Sequence, residues 1–132
     1  REALGALASG KSIECHFRNY GPGAARVACL APGLESPGKK GPDRSYSSTI
    51  LGARPEAGEG RGLILDLRIH RGFRHQLRAQ LAWLGLPIRG DALYDSEASS
   101  RLFLEARAIS LDLDGRPGPL AISLGPRAER RN

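Results

Sequence analysis

The chain has few cysteines, few aromatic residues and no long apolar run, and each shortage excludes a class of protein. Two cysteines, Cys15 and Cys29, are too few for a disulfide framework and lack zinc-ligand spacing. No apolar stretch approaches the roughly 20 residues of a membrane-spanning helix, so we expect no membrane segment. Aromatic residues make up 5% of the chain, so the core is expected to consist of Leu, Ile and Ala. The cysteine usage favours a reducing setting, and we expect a cytoplasmic protein.

The chain is short and strongly basic. Its 132 residues predict one domain, and we expect a monomer. The net charge is +6, and 17 of the 20 basic residues are Arg. Arg binds phosphate through two parallel N–H bonds and stacks on bases, so nucleic acid is the leading specific partner. The alternative is a solvated basic surface in which Arg replaces Lys, as in proteins of GC-rich genomes.

Periodicity predicts several strands and one helix. Apolar and polar residues alternate as in a half-buried strand from Ile13 to Arg18 and again from Leu63 to His70. Further strands are predicted at residues 24–30, 45–53, 102–113 and 120–124, the tail of a helix at residues 1–9, and a Pro/Gly-rich loop at residues 31–43. After Gly72 the spacing becomes helical, and Gly85 is expected to end that helix. This order predicts an α+β fold: a mixed, largely antiparallel sheet with a helix packed on it.

Polar side chains are concentrated where a predicted strand gives way to the helix. They are Arg71, Arg74, His75, Gln76 and Arg78. The free N–H groups and positive dipole end of a helix already favour anions at such a junction. Arg74 and Arg78 are four residues apart, so they lie on one face and repel each other unless they share an anionic partner. The alternative is a pair of solvated arginines beside a core helix.

Residues 72–94, G-F-R-H-Q-L-R-A-Q-L-A-W-L-G-L-P-I-R-G-D-A-L-Y, resemble the signature of the RluA-type RNA pseudouridine synthases. That signature is G-R-x-H-Q-[IL]-R-x-H-L-x-x-x-G-x-P-[IV]-x-G-D-x-x-Y, and twelve of the twenty-three positions match in register. Residues 11–15 more weakly resemble the family's K-x-Y-x-A strand, and residues 102–106 its L-x-L-H-A strand. The resemblance implies that residues 1–132 are the C-terminal part of a single pseudouridine synthase catalytic domain.

The resemblance implies an enzyme that isomerises uridine to pseudouridine in structured RNA, ribosomal or transfer, without cofactor or metal. The target base is flipped into the pocket, an aspartate attacks the nucleoside, and the uracil is rejoined to the ribose through carbon instead of nitrogen. In the family an Arg pairs with that aspartate and holds it ionised, and the matching residue here is Arg78. The alternative for Arg78 is a structural ion pair.

The resemblance also implies roles for the neighbouring positions. Arg71, Arg74, His75 and Gln76 are expected to contact RNA. Gly72, Gly90, Asp91 and Tyr94 are expected to be structural, with Asp91 accepting backbone N–H bonds and Tyr94 filling a pocket. We expect Trp83 to belong to the core and Asp66 to form a cross-strand ion pair.

The sequence departs from the family pattern at positions that carry chemistry. The family's aspartate lies in an H-R-L-D motif before the K-x-Y-x-A strand; these residues lack it, and we expect it upstream of Arg1. Ile13 occupies the position of the family's Tyr, which stacks on the base and helps to remove its proton. Phe73, Gln80 and Glu105 replace an Arg and two His residues. We therefore expect these residues alone to be inactive, and the alternative is a degenerate relative that binds RNA without modifying it.

Overall fold

The computed structural model describes residues 8–31, 45–57, 62–94, 101–112, 114–115 and 117–124. Most of the predicted helix tail at residues 1–9 and nearly all of the loop at residues 31–43 lie outside this set. The described residues fall into two compact units that divide between Leu102 and Phe103. No helix in the described part of the chain has the length and hydropathy needed to cross a membrane.

The first unit contains a four-stranded antiparallel sheet and one helix. The strands are β1 (Ser12–Tyr20), β2 (Arg26–Leu30), β3 (Tyr46–Pro55) and β4 (Leu63–Ile69), in the order β2-β1-β3-β4. Each neighbouring pair is antiparallel. The helix, α1 (Gln76–Trp83), follows β4. The prediction of an α+β fold with a largely antiparallel sheet and a packed helix is confirmed.

The core lies between one face of the sheet and α1. The alternation predicted for β1 is confirmed, since Ile13, Cys15 and Phe17 are buried. Leu81 of α1 packs with Ile13, and Ala79 packs with Cys15 and Phe17. Fully burying one large aliphatic side chain contributes about 1.5–3 kcal/mol, so this face is the main source of stability for the unit.

The pairing of β3 with β4 contains a bulge. The register shifts between Ile50 and Gly52, which leaves Leu51 as the extra residue and exposes its side chain. Beyond the bulge, Arg54 Nη1 lies 2.6 Å from Asp66 Oδ2. This contact confirms the predicted cross-strand ion pair for Asp66. Both side chains are more than half exposed, so the pair contributes little stability.

The predicted end of the helix at Gly85 is confirmed in detail. Gly85 has φ +76°, its N–H donates to the oxygen of Ala82 at 2.9 Å, and the Leu86 N–H donates to that of Leu81 at 2.8 Å. This double closure is the Schellman motif, which favours glycine because of the positive φ. The prediction that Trp83 belongs to the core is wrong: this last residue of α1 is 46% exposed.

The second unit is a hairpin of β5 (Ala108–Leu111) and β6 (Leu120–Ser123). The strand predicted over residues 102–113 is therefore shorter than expected, whereas the last predicted strand is confirmed. Ile109 faces Ile122, and all the residues of β5 are exposed.

Candidate functional site

The matched motif brings Arg78 and Asp91 together in a bidentate ion pair. The Nε and Nη2 atoms of Arg78 donate to Oδ2 and Oδ1 of Asp91 at 2.8 and 2.7 Å. The carboxylate is fully buried, whereas the arginine side chain is 19% exposed. Two parallel charge-assisted bonds fix the plane of the guanidinium as well as its position.

The surroundings of Asp91 keep its carboxyl group ionised. The hydrogen bonds from Arg78 lower the pKa of Asp91, and this effect outweighs the burial that would raise it. The Leu93 N–H also donates to Oδ1 at 3.1 Å, which confirms the prediction that Asp91 accepts a backbone bond. Gly90 precedes it with φ +76°, a conformation that favours glycine. Gly72 has no positive φ, and an added Cβ would meet only Ile69 at an ordinary 3.9 Å, so the expectation that the motif needs glycine there has no steric support.

Tyr94 joins three elements of the first unit. Its hydroxyl oxygen accepts the Val27 N–H of β2 at 2.8 Å and lies 3.2 Å from Nδ1 of His75. The Arg78 guanidinium lies over its ring, 5.4 Å from the centroid, in a cation–π contact. The side chain also packs against the core cluster that contains Cys15. Tyr94 is therefore half-buried and holds β2 against the start of α1.

His75 is held in its neutral form. Burial lowers the pKa of His75, and the nearby positive charges of Arg78 and Arg74 lower it further. The Tyr94 hydroxyl lies 3.2 Å from Nδ1 of His75, and this contact fixes the orientation of the imidazole ring. His75 has φ +56° at the N-terminal end of α1, a conformation that is uncommon outside glycine and is concentrated at functional sites.

The two other arginines of the junction are on the surface. Nη2 of Arg74 donates to Asn19 Oδ1 at 3.0 Å and to the carbonyl oxygen of Ala24, which ties the start of α1 to the β1–β2 connection. Arg71 is exposed in the segment between β4 and α1. The structure therefore brings His75 and Arg78 together with Asp91 and Tyr94, while Arg74 is bonded to the β1–β2 turn.

Gln76 does not lie on the surface, so its predicted RNA contact is corrected. The residue is 3% exposed; its Oε1 accepts the Phe73 N–H, and its Nε2 donates to the oxygen of Ser47 and to Ser48 Oγ. A side chain whose donors and acceptor are satisfied inside the fold cannot contact a surface ligand. Gln76 instead joins α1 to β3.

Gln80 is a second buried amide whose role the sequence did not reveal. Its Oε1 accepts the Ser48 hydroxyl at 2.6 Å, and its Nε2 donates to the oxygens of Ile13 and Tyr46 at 3.1 and 3.3 Å. The sequence identified Gln80 only as a replacement for a family His. Its spacing of four from Gln76 was the available signal, because it places both amides on one helix face.

Ile13, at the position of the family's Tyr, is a core residue. It is 6% exposed and packs with Ile50, Leu81 and Ile88. Its side chain supports the sheet beneath α1 and has no group that could take up a proton.

Among the described residues, no group of three or more His, Cys, Asp or Glu side chains could hold a metal ion. No family model, no curated protein and no solved structure matches the chain. The function is therefore inferred from the motif and from the geometry of its residues.

Proposed function

We propose that this chain is part of an RNA pseudouridine synthase of the RluA type, and that it adopts the corresponding part of that catalytic fold. The observation that carries the proposal is the fixed guanidinium of Arg78. Asp91 holds it on one edge, Tyr94 lies beneath its face, and the His75 ring packs edge-on against Tyr94. These are motif positions at which the resemblance places a rigid arginine.

Arg78 would act by orienting the carboxylate that attacks the nucleoside. Asp91 uses the Nε and one Nη2 donor, so the other N–H donors of the guanidinium are the ones that would pair with a second carboxylate. A positive charge next to that carboxylate keeps it ionised and fixes its direction of attack. In this proposal the second carboxylate is the aspartate of an H-R-L-D motif supplied from before Arg1, and no metal or cofactor takes part.

The surface around the start of α1 would hold the RNA. Arg71 and Arg74 are exposed and positively charged, and the lowered pKa of His75 keeps its imidazole neutral beside them. The whole chain carries a net charge of +6, which attracts phosphate over a longer range. The proposed substrate is structured ribosomal or transfer RNA, bound by a monomer in the cytoplasm.

Two observations favour a second candidate, an RNA-binding relative without activity. The family's Tyr position is occupied by Ile13, which is buried in the core. In addition, Arg78 already has a buried carboxylate partner in Asp91, so a structural ion pair explains its geometry by itself. This candidate predicts salt-sensitive RNA binding with no change of base.

Release of tritium from C5 of uridine separates the two candidates. That carbon loses its hydrogen when the ribose is rejoined to it, so conversion of an unmodified ribosomal or transfer RNA transcript releases the label. We expect release by the natural protein with its segment before Arg1, and RNA binding without release by the 132-residue chain. Binding without release by both proteins would establish the inactive relative; release by the 132-residue chain would contradict the assignment of the aspartate.

A further inference from the structure

Cys15 and Cys29 form a close pair of free thiols on the core side of the sheet. Their sulfur atoms are 3.3 Å apart. Phe17 faces Cys29 in the β1–β2 register, so Cys15, two residues before Phe17, is the diagonal neighbour of Cys29 on the same face. Neither sulfur takes part in the site around Arg78.

The pair is arranged so that one sulfur loses its proton before the other. The two sulfurs share a hydrogen bond, and this contact lowers the pKa of Cys15 and raises the pKa of Cys29. Gln80 Nε2 lies 3.6 Å from the Cys15 sulfur and also favours its thiolate. A thiolate beside a second thiol is the arrangement from which disulfides form.

A bond between the two sulfurs requires movement of β2 relative to β1, because diagonal neighbours lie about 7–8 Å apart, at or beyond the usual limit for a disulfide. A disulfide is about 2.05 Å long, so the sulfurs would approach each other by roughly 1.2 Å. Cys15 is fully buried and Cys29 is half-buried, and β2 lies at the edge of the sheet. Opening of an edge strand therefore admits a small oxidant and also provides the freedom for the sulfurs to move.

We propose that Cys15 and Cys29 are a reversible oxidation site that hydrogen peroxide converts to an intrachain disulfide. The Cys15 thiolate attacks one peroxide oxygen, giving a sulfenic acid and hydroxide, which takes up a proton to become water. The Cys29 thiol then displaces the sulfenic hydroxyl group as a second water molecule. Peroxide is reduced by two electrons, and the two thiols are oxidised to the disulfide.

The disulfide would fix the strand that supports Tyr94. Cys29 and Val27 both belong to β2, and the Val27 N–H is the donor to the Tyr94 hydroxyl. Joining β2 covalently to β1 suppresses opening of this edge. Amide hydrogen exchange at Val27 is therefore expected to be about tenfold slower in the oxidised protein. An unchanged exchange rate in protein shown to be crosslinked would contradict this effect on β2.

The test measures thiols and intact mass in the folded full chain after treatment with hydrogen peroxide. We expect both thiols to be lost, the monomer mass to fall by about 2 Da, and dithiothreitol to restore both thiols and the mass. Two remaining thiols would overturn the proposal. So would a mass gain of about 16 Da or more without a crosslink, or a dimer joined through cysteine.

Two serine variants test which sulfur attacks. In Cys29→Ser the hydroxyl keeps a hydrogen-bonding group beside the Cys15 sulfur, so dimedone, a reagent for sulfenic acid, is expected to trap Cys15 after peroxide treatment. In Cys15→Ser, Cys29 is expected to be trapped at least tenfold more slowly. The reverse order would overturn the assignment of Cys15 as the attacking thiolate.

Discussion

The Arg78–Asp91 contact places a fully buried carboxylate against a guanidinium that is largely shielded from solvent. Removing either partner leaves the other charge without compensation, whereas an exposed pair such as Arg54–Asp66 loses little when it is broken. The same two atoms of Arg78 that fix its orientation therefore also stabilise the fold. Any experiment on its chemistry must separate these two contributions.

Replacing Arg78 by Ala is expected to lower the free energy of unfolding by about 3–5 kcal/mol, because Asp91 remains as a buried, unpaired charge. Urea denaturation of the isolated chain measures the loss. Arg54→Ala is the matched control, since it removes the same side chain from an exposed pair, and it should cost less than about 1 kcal/mol. Equal losses of unfolding free energy in the two variants would show that burial of the Arg78–Asp91 pair adds nothing to stability.

The pH dependence of stability follows from the lowered pKa of Asp91. In the unfolded chain an Asp titrates near pH 4, whereas in the folded chain Asp91 stays ionised to a lower pH. Its contribution is therefore fully present above about pH 4 and is lost as the pH falls through the folded pKa. The stability difference between wild type and Asp91→Asn should shrink as the pH falls below about 4; a constant difference would contradict the lowered pKa of Asp91.

The lowered pKa of His75 also makes stability fall as the pH falls, but it does so at a higher pH than Asp91 does. Because its folded pKa is lowered, the unfolded chain binds a proton more readily, and stability falls as the pH drops below about 6.5. In His75→Gln, which cannot titrate, the slope of stability against pH below about pH 6.5 should become smaller. Unfolding curves measured across this range provide the check, and an unchanged slope would contradict a neutral His75.

At the scale of elements, alternation and helical spacing predicted β1, β4 and α1, because a half-buried strand and an amphipathic helix each repeat with their own period. The hydrogen-bond partners of two amide side chains in α1 could not be predicted from these periods. Gln76 and Gln80 face Ser48 of β3, more than twenty-five residues away in sequence, and the pairing of that strand with α1 is a tertiary event. Periodicity shows that the amides share a helix face, but it cannot show which polar groups they meet.

Ser48 is the centre of this buried network. Its hydroxyl donates to Gln80 and accepts from Gln76, so Ser48→Ala leaves an oxygen of one amide and an N–H of the other unsatisfied. We expect the free energy of unfolding to fall by about 2–4 kcal/mol. Ser47→Ala is the control at the adjacent, exposed position, and its backbone oxygen still accepts from Gln76. Similar unfolding midpoints in urea for the two variants would contradict the network.

At the scale of the whole molecule, the sequence predicted the fold class and the order of strands and helix, but not the length of β5, the first strand of the C-terminal hairpin. The pattern of residues 102–107 predicted a strand, but only the pairing of β5 with β6 defines where that strand begins. The exposure of Trp83, the last residue of α1, was also missed, because helical spacing does not show which side chains the rest of the fold covers.

The net charge predicts an RNA affinity that depends on salt. Each phosphate contact that is lost reduces the slope of log affinity against log salt concentration by roughly 0.7–0.9. Arg71→Ala is expected to weaken binding to an unmodified transcript and to reduce the slope by about that amount. Arg54→Ala removes the same charge from β3, opposite the start of β4 and therefore at the far end of that strand from Arg71. This variant should leave the slope unchanged. Fluorescence anisotropy over a salt series checks this, and equal slopes for the two variants would contradict the placement of RNA near α1.

The central claim is that Arg78 orients a reacting carboxylate in addition to stabilising Asp91. The double variant Arg78→Met/Asp91→Asn tests it, because it removes both charges together and keeps an oxygen that can accept the Leu93 N–H. Tritium release from C5-labelled RNA is measured with the natural protein, alongside its unfolding midpoint and RNA affinity. The account predicts a folded variant that binds RNA but has lost release by a factor of about a thousand or more. A folded double variant that releases tritium at the wild-type rate would contradict it, and Arg78 would then be a structural residue only.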